Sequence, residues 1–285
     1  MLKKIIRFGI NKIKGLVFKT KKVINYISPT EFKYRKFVKA AQFDKSHSNK
    51  KDRELEVMAH FNFDDEKLKE VFSDVLAYKK VESEFMPDLS DDDKLLDYYT
   101  GRYVKGVVSH MLRYDRYRSA FAISNFFKKY HSGKKLNMLD FGCGVGDFSV
   151  SIAPLTKNLT VCDLKDGNID FADWRLERRN VKHDKIEVSI ENMYPDFSKL
   201  ELDLVVAGDV LEHVRYPKKT LESMLSGLNE GGYLWLSAYP FTDCGLRGDH
   251  LEEPYHEREE IKNYVLDKFI LIEDKCLSGY LLKKK

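Results

Sequence analysis

The chain has 285 residues, with 49 Lys+Arg against 45 Asp+Glu, 43% apolar and 13% aromatic side chains. That is enough to bury a real core and excludes a chain disordered throughout, and no apolar run reaches the roughly 18 residues of a membrane-spanning helix. Cys143, Cys162, Cys244 and Cys276 form no CxxC pair, which excludes a small disulfide scaffold and reads as free thiols in a reducing, cytoplasmic compartment.

The charge is unevenly spread. Residues 1–40 hold twelve Lys/Arg and one acid, Glu31, a local charge of +11; against a total of +4 this leaves −7 for residues 41–285. Within residues 1–28, Leu2, Ile5, Ile6, Ile10, Ile13, Leu16, Val17, Val23, Ile24 and Ile27 recur every three to four positions with lysines between them. This predicts a basic amphipathic helix ended by Ser28-Pro29. Such a helix packs on the protein body, lies on an anionic membrane surface at the inner face, or grips a nucleic acid. A secretory signal would need an unbroken apolar stretch, which is absent here.

Residues 29–97 read as a helical extension, with helices near 52–60 and 64–80. Pro87 and Asp91–Asp93 mark a turn, and Ser90 ahead of three acids suits a helix start. From Leu95 to Tyr130 aromatics and arginines predict two more helices. After Ser132-Gly133 short β-rich runs alternate with helical stretches: 136–140, 159–163, 186–190, 202–207, 233–238, 269–273 and 277–282. Helix-length connections imply βαβ units and a mostly parallel sheet, and the short link between the last two runs makes the final strand antiparallel. The fold class is therefore α/β with seven strands.

Three motifs carry chemistry. Leu139-Asp140-Phe141-Gly142-Cys143-Gly144-Val145-Gly146 lies where the first strand turns into a helix, and its glycines let backbone approach a ligand. The dinucleotide fingerprint G-x-G-x-x-G would require glycine at 147, where the chain has Asp147. Asp163 ends the next strand, where a carboxylate can accept from both hydroxyls of a ribose. Gly208-Asp209-Val210-Leu211-Glu212-His213 follows the fourth strand and brings an acid pair and a histidine within about a turn.

The series LDFGCGVG, VCDL, DLVVAGDVLEHV and LNEGGYLWLS resembles the class I S-adenosylmethionine-dependent methyltransferases, in the broad branch of small-molecule, quinone and sugar O-methyltransferases. The resemblance covers about residues 98–285 and implies a Rossmann-like sheet of order 3-2-1-4-5-7-6 with the seventh strand antiparallel. It implies S-adenosylmethionine as cofactor, with Asp140 among the cofactor-binding residues, Gly142, Cys143 and Gly144 under its methionine part and Asp163 on its ribose. Glu191 and Asn192 would touch adenine, Gly208 and Asp209 would face the methyl donor, and Arg116 would reach the carboxylate. His250 and His213 are candidate general bases for an acceptor hydroxyl. In some relatives E-x-x-E-H holds a divalent ion, so Asp209, Glu212 and His213 are candidate ligands for Mg²⁺ or Mn²⁺. The expected acceptor is a small molecule or a glycan or lipid precursor; an RNA methyltransferase and a non-catalytic cofactor-binding protein are the alternatives.

Overall fold

The computed structural model describes residues 50–82, 90–101, 103–112, 134–189, 191–237, 239–243, 245–246, 250–273 and 279–285. All belong to one compact unit. The basic helix expected over residues 1–28, and Arg116, lie outside the described residues. Among the described residues no helix is long and apolar enough to cross a membrane.

Four helices precede the sheet: α1 (Lys50–Phe61), α2 (Asp65–Glu82), α3 (Asp92–Thr100) and α4 (Tyr103–Leu112). Helix α3 starts one residue later than the sequence implies. Asp91, not Ser90, is its N-cap and accepts from the Lys94 N–H at 2.8 Å, while the Ser90 hydroxyl accepts from Lys94 Nζ instead. A carboxylate beside three orphan N–H groups outcompetes a hydroxyl for that place.

Seven strands then form one sheet: β1 (Leu136–Phe141), β2 (Thr156–Leu164), β3 (Asp184–Val188), β4 (Leu202–Ala207), β5 (Leu228–Leu236), β6 (Phe269–Glu273) and β7 (Tyr280–Lys284), in the order β3-β2-β1-β4-β5-β7-β6. Strands β1 to β5 are parallel and β7 runs antiparallel to both neighbours, as the short final connection requires. Central strands LNMLDF and LDLVVA are nearly continuous apolar runs because helices cover both of their faces. The crossovers carry α5 (Asp147–Ile152), α6 (Gly167–Glu177), α7 (Pro217–Leu225) and α8 (Glu252–Lys268). Asp166 caps α6 by accepting from Asn168 and Ile169, and Pro217 opens α7 at a position where a missing N–H costs nothing. Strand β5 begins at Leu228, so the Gly231-Gly232 pair lies inside the strand and not at a helix end.

Each sheet face has its own apolar cluster, one built around Leu139, Val205 and Leu234, the other around Met138, Val161 and Val206. A third cluster joins Val57 of α1 and Val75 of α2 to Val107 and Met111 of α4 and to Phe171 of α6. The extension read from sequence thus shares a core with the sheet's own helices. Strand order reverses between β2-β1 and β1-β4, and in open parallel sheets ligands bind beyond the strand ends at that point.

Candidate active site

Beyond β1 the chain turns through Gly142, Gly144 and Gly146, all at positive φ (69°, 53° and 75°). The N–H groups of Gly142 and Cys143 both donate to the Cys162 carbonyl, at 2.8 and 3.1 Å, which stitches this loop to β2. The three glycines do different work. A Cβ on Gly142 would stand 2.2 Å from a Val210 methyl, and one on Gly146 would stand 3.0 Å from Ala172 Cβ, so both serve packing. A Cβ on Gly144 would meet nothing within 4 Å. That open, left-handed position is a cradle against which a ligand can lie close to backbone.

Asp163 faces the same loop. Its Oδ2 accepts from the Gly144 N–H at 2.5 Å and its Oδ1 from the Leu164 N–H at 2.7 Å. Burial, then the charge of Asp166, push its carboxyl up to about 7. Asp140 is turned inward: it is 1% exposed, and its Oδ2 accepts from the N–H and hydroxyl of Ser149, fastening α5 to β1. Burial raises it to about 6. The Cys143 side chain is buried too, and burial pushes its thiol well up. Glu191 and Asn192 stand exposed past β3, where Ser189 bridges to Asn192 and its hydroxyl donates to Glu191. At the end of β4 a Cβ on Gly208 would press on Phe148 and Trp235 at 3.3 Å, so this glycine fits against two rings tilted by 50° to one another.

A second constellation follows β4. Leu211–His213 is a 3-10 turn, and ligand atoms of Glu212, His213 and His250 all lie within 4.8 Å of one another. The Leu251 N–H donates to the Glu212 carbonyl at 3.1 Å, which holds the His250 segment against the turn. His250 Nδ1 donates to the Gly245 carbonyl at 2.9 Å, which leaves Nε2 with a lone pair. The Tyr99 hydroxyl of α3 meets His213 Nδ1 at 3.0 Å. Oε2 of Glu212 is buried without a hydrogen-bond partner, and burial, above all, raises that carboxyl.

The grouping of Asp209 with Glu212 and His213 is corrected here. Asp209 adopts φ 56°, its N–H donates to Ser237 Oγ at 2.7 Å, and it is exposed. The chain is not helical between 209 and 210, so the i, i+3 spacing that would bring Asp209 over Glu212 does not arise. His250, distant in sequence, takes that place in the cluster.

Sequence reasoning missed a buried ionic network behind the glycine loop. Arg53 of α1 and Arg175 of α6, both fully buried, each donate to Oδ1 of Asp147, at 2.6 and 2.9 Å. Arg175 also donates to the Val145 carbonyl at 2.6 Å and, through Nε, to Glu56 at 2.9 Å. Arg53, Glu56, Val57 and His60 share one face of α1, so a polar pair occupies what a hydrophobicity pattern would treat as the wet side. Asp147, already singled out for breaking the dinucleotide fingerprint, was the one available signal.

Residues 139–234, from within β1 to within β5 and including the glycine loop, Asp163 and Glu212–His213 but not His250, match a family model described as a methyltransferase domain. This stretch is therefore similar to a methyltransferase domain, and it holds the motifs that resemble the class I S-adenosylmethionine-dependent methyltransferases. The chain is 30% identical over 148 residues to the mitochondrial ubiquinone biosynthesis O-methyltransferase of Candida albicans, covering 46% of this chain and 45% of that protein. It is 28% identical over 158 residues to the corresponding Schizosaccharomyces pombe protein, covering 50% and 57%. With the ubiquinone biosynthesis O-methyltransferase of Rickettsia felis it shares 28% over 120 residues, covering 42% and 48%. The chain spans about half the length of the curated relatives it matches.

Proposed function

We propose that this methyltransferase transfers a methyl group to a hydroxyl oxygen of a small phenolic acceptor, with a divalent cation held by Glu212, His213 and His250. One contact carries the reading. Gly142 of the cofactor loop packs on Val210, and the Val210 carbonyl accepts from the His213 N–H at 2.9 Å. The cradle at Gly144 and the Glu212–His213 turn therefore adjoin, as a methyl donor and an acceptor-binding group must.

Gly144 and Asp163 would hold the cofactor, the first by close backbone approach and the second by accepting from ribose hydroxyls. When bound, S-adenosylmethionine supplies an electrophilic methyl group. The donor set of the second constellation fits a cation: one unpartnered buried carboxylate oxygen, one imidazole with Nε2 available and a second imidazole beside it. Two imidazoles make this set softer than an all-oxygen one, which favours Mn²⁺ or Zn²⁺ over Mg²⁺. A cation there supplies positive charge that favours the ionised acceptor oxygen. Glu212 and the two histidines fix the acceptor's place, and the turn and the Leu251 tether hold them there.

The names of the relatives support a phenolic acceptor of the ubiquinone-precursor kind. The lysine-rich stripe of residues 1–28 supports residence on anionic lipid, where an apolar acceptor of that kind collects. The test is incubation of the full chain with labelled methyl donor, Mn²⁺ and a catechol carrying an alkyl tail, beside a parallel incubation with total RNA. Label in the phenol ether, lost on addition of EDTA, is expected. Label in RNA alone would overturn the reading.

A further inference from the structure

We propose that Arg53 is a positioning residue for cofactor binding: α1 clamps the glycine loop in its binding shape through the Asp147 carboxylate. The proposal rests on the reading of Gly144 and Asp163 as the cofactor cradle.

The geometry is a closed circuit. The Arg53 guanidinium donates through Nη1 and Nη2 to the two oxygens of Asp147, at 2.6 and 3.0 Å, the two-pronged pairing that fixes a carboxylate in direction as well as in place. Its remaining donors reach the carbonyls of His110, at 2.8 Å, and Met111, at the last turn of α4. From the other side Arg175 donates to Asp147 and to the Val145 carbonyl. Glu56 accepts from Arg175 and from Arg179, which returns the circuit to α1. Two cations hold the Asp147 carboxyl well below the usual carboxylate range despite its burial.

Val145 and Asp147 flank Gly146 and follow Gly144, so the segment behind the cradle is fixed at Asp147 from both α1 and α6 and at Val145 from α6. The stitching of Gly142 and Cys143 to Cys162 fixes the segment in front of it. Gly144 itself, left-handed and open on the side where a Cβ would stand, is held directly through its N–H, which donates to Asp163 Oδ2. A glycine loop without such restraint samples many conformations, and each must be given up when a ligand binds. Buried ion pairs are seldom a net gain in stability over apolar packing, whereas they fix one arrangement and penalise others. Here the arrangement fixed is that of the loop.

The test uses the full chain. Arg53→Met keeps the volume of the side chain and removes its fork; Arg53→Lys keeps the charge and can serve fewer partners. Gly144→Val sets the scale for loss of the cradle. S-adenosylmethionine affinity is measured by calorimetry, and hydrogen exchange at the amides of residues 142–147 is compared with that of the β4 core. We expect Arg53→Met to weaken cofactor affinity by tenfold or more, Arg53→Lys by several-fold, and both to speed exchange in residues 142–147 while β4 stays protected. The KM for the acceptor should not change, which separates the clamp from a general loss of structure. Intact affinity in Gly144→Val would overturn the cradle reading and the proposal with it. Lost affinity in Gly144→Val, with neither affinity nor loop exchange altered in the folded Arg53 variants, would overturn the clamp alone. If neither Arg53 variant folds, the network is a stability element and the clamp also falls.

Discussion

The two halves of the site stand on the same edge of the sheet and are built in opposite ways. Around the glycine loop the carboxylates are answered, Asp140 by Ser149, Asp147 by two arginines and Asp163 by two backbone N–H groups, while Nη2 of Arg175 is buried without a partner. Around the Glu212–His213 turn a carboxylate oxygen is buried with no partner and two imidazoles crowd it. The first half is preorganised by its own protein contacts, with space left beside one glycine. The second holds a carboxylate oxygen without a hydrogen-bond partner, beside two histidines that favour its ionised form, and a buried unpaired oxygen costs about 1–3 kcal/mol.

The largest expected effect breaks the second half. Removing a ligand should cost more than the roughly 10–100-fold that outer-shell partners cost in metal affinity. Glu212→Ala is therefore expected to abolish measurable Mn²⁺ binding and EDTA-sensitive turnover, with S-adenosylmethionine affinity preserved. In the cation-free protein the same change removes the uncompensated acid, so the melting temperature should hold or rise. A Glu212→Ala protein that melts well below the parent without metal would show that the carboxylate has a structural role instead.

Asp163→Ala breaks the first half. Two charge-assisted hydrogen bonds from ribose are lost, about 1.5–3 kcal/mol, or on the order of tenfold to a hundredfold in cofactor affinity. Mn²⁺ affinity should not move. Calorimetry with unchanged cofactor affinity would remove the ribose assignment.

A smaller effect sharpens the comparison through pH. The folded-state value of Asp163 is about 7, above the ordinary carboxylate value of about 4. Between those limits the folded protein holds a proton that the unfolded chain has released, so this group makes stability fall as pH rises across that window. Cofactor binding has the opposite slope, because ribose hydroxyls donate best to the ionised carboxylate. Affinity should climb by about tenfold from pH 6 to pH 8 and level off above, since below its pKa an acid loses its ionised fraction about tenfold per pH unit. Asp163→Asn should flatten that profile, and a slope that persists in it would assign the titration elsewhere.

The same contrast governs what could be read from sequence. The sheet was legible because each strand is a short apolar run and each crossover is long enough for a helix, so order and direction follow from few rules. The placement of the glycine loop and Asp163 was legible because the pattern is local: a tight turn after one strand and an acid at the end of the next. The Glu212, His213 and His250 cluster was only half legible. Its third member depends on a loop folding back through the Leu251–Glu212 hydrogen bond, and the pseudo-helical spacing pointed to Asp209 instead. The Arg53 and Arg175 network was not legible, since buried arginines look like solvated ones until their carboxylate partner is placed.

The smallest expected effect asks whether the helices ahead of the sheet also serve the second half. Helix α3 reaches it at two points. Arg215, two residues after His213, donates to Asp92 of α3 at 2.9 Å and to Glu253 of α8, so the turn, α3 and α8 are tied together. At the other end of α3 the Tyr99 hydroxyl meets His213 Nδ1 at 3.0 Å, a contact that orients the ring. A phenol hydroxyl is a weaker partner than the carboxylates that usually orient ligating histidines. Tyr99→Phe should therefore lower cation affinity by only about 2–10-fold, the equivalent of one neutral hydrogen bond of about 0.5–1.5 kcal/mol. Cofactor affinity should stay at the parent value, because the glycine loop is held by α1 and α6 and not by α3. Equal losses for cation and cofactor in Tyr99→Phe would show that the two halves are one mechanical unit, and that the division drawn from their hydrogen bonds does not govern binding.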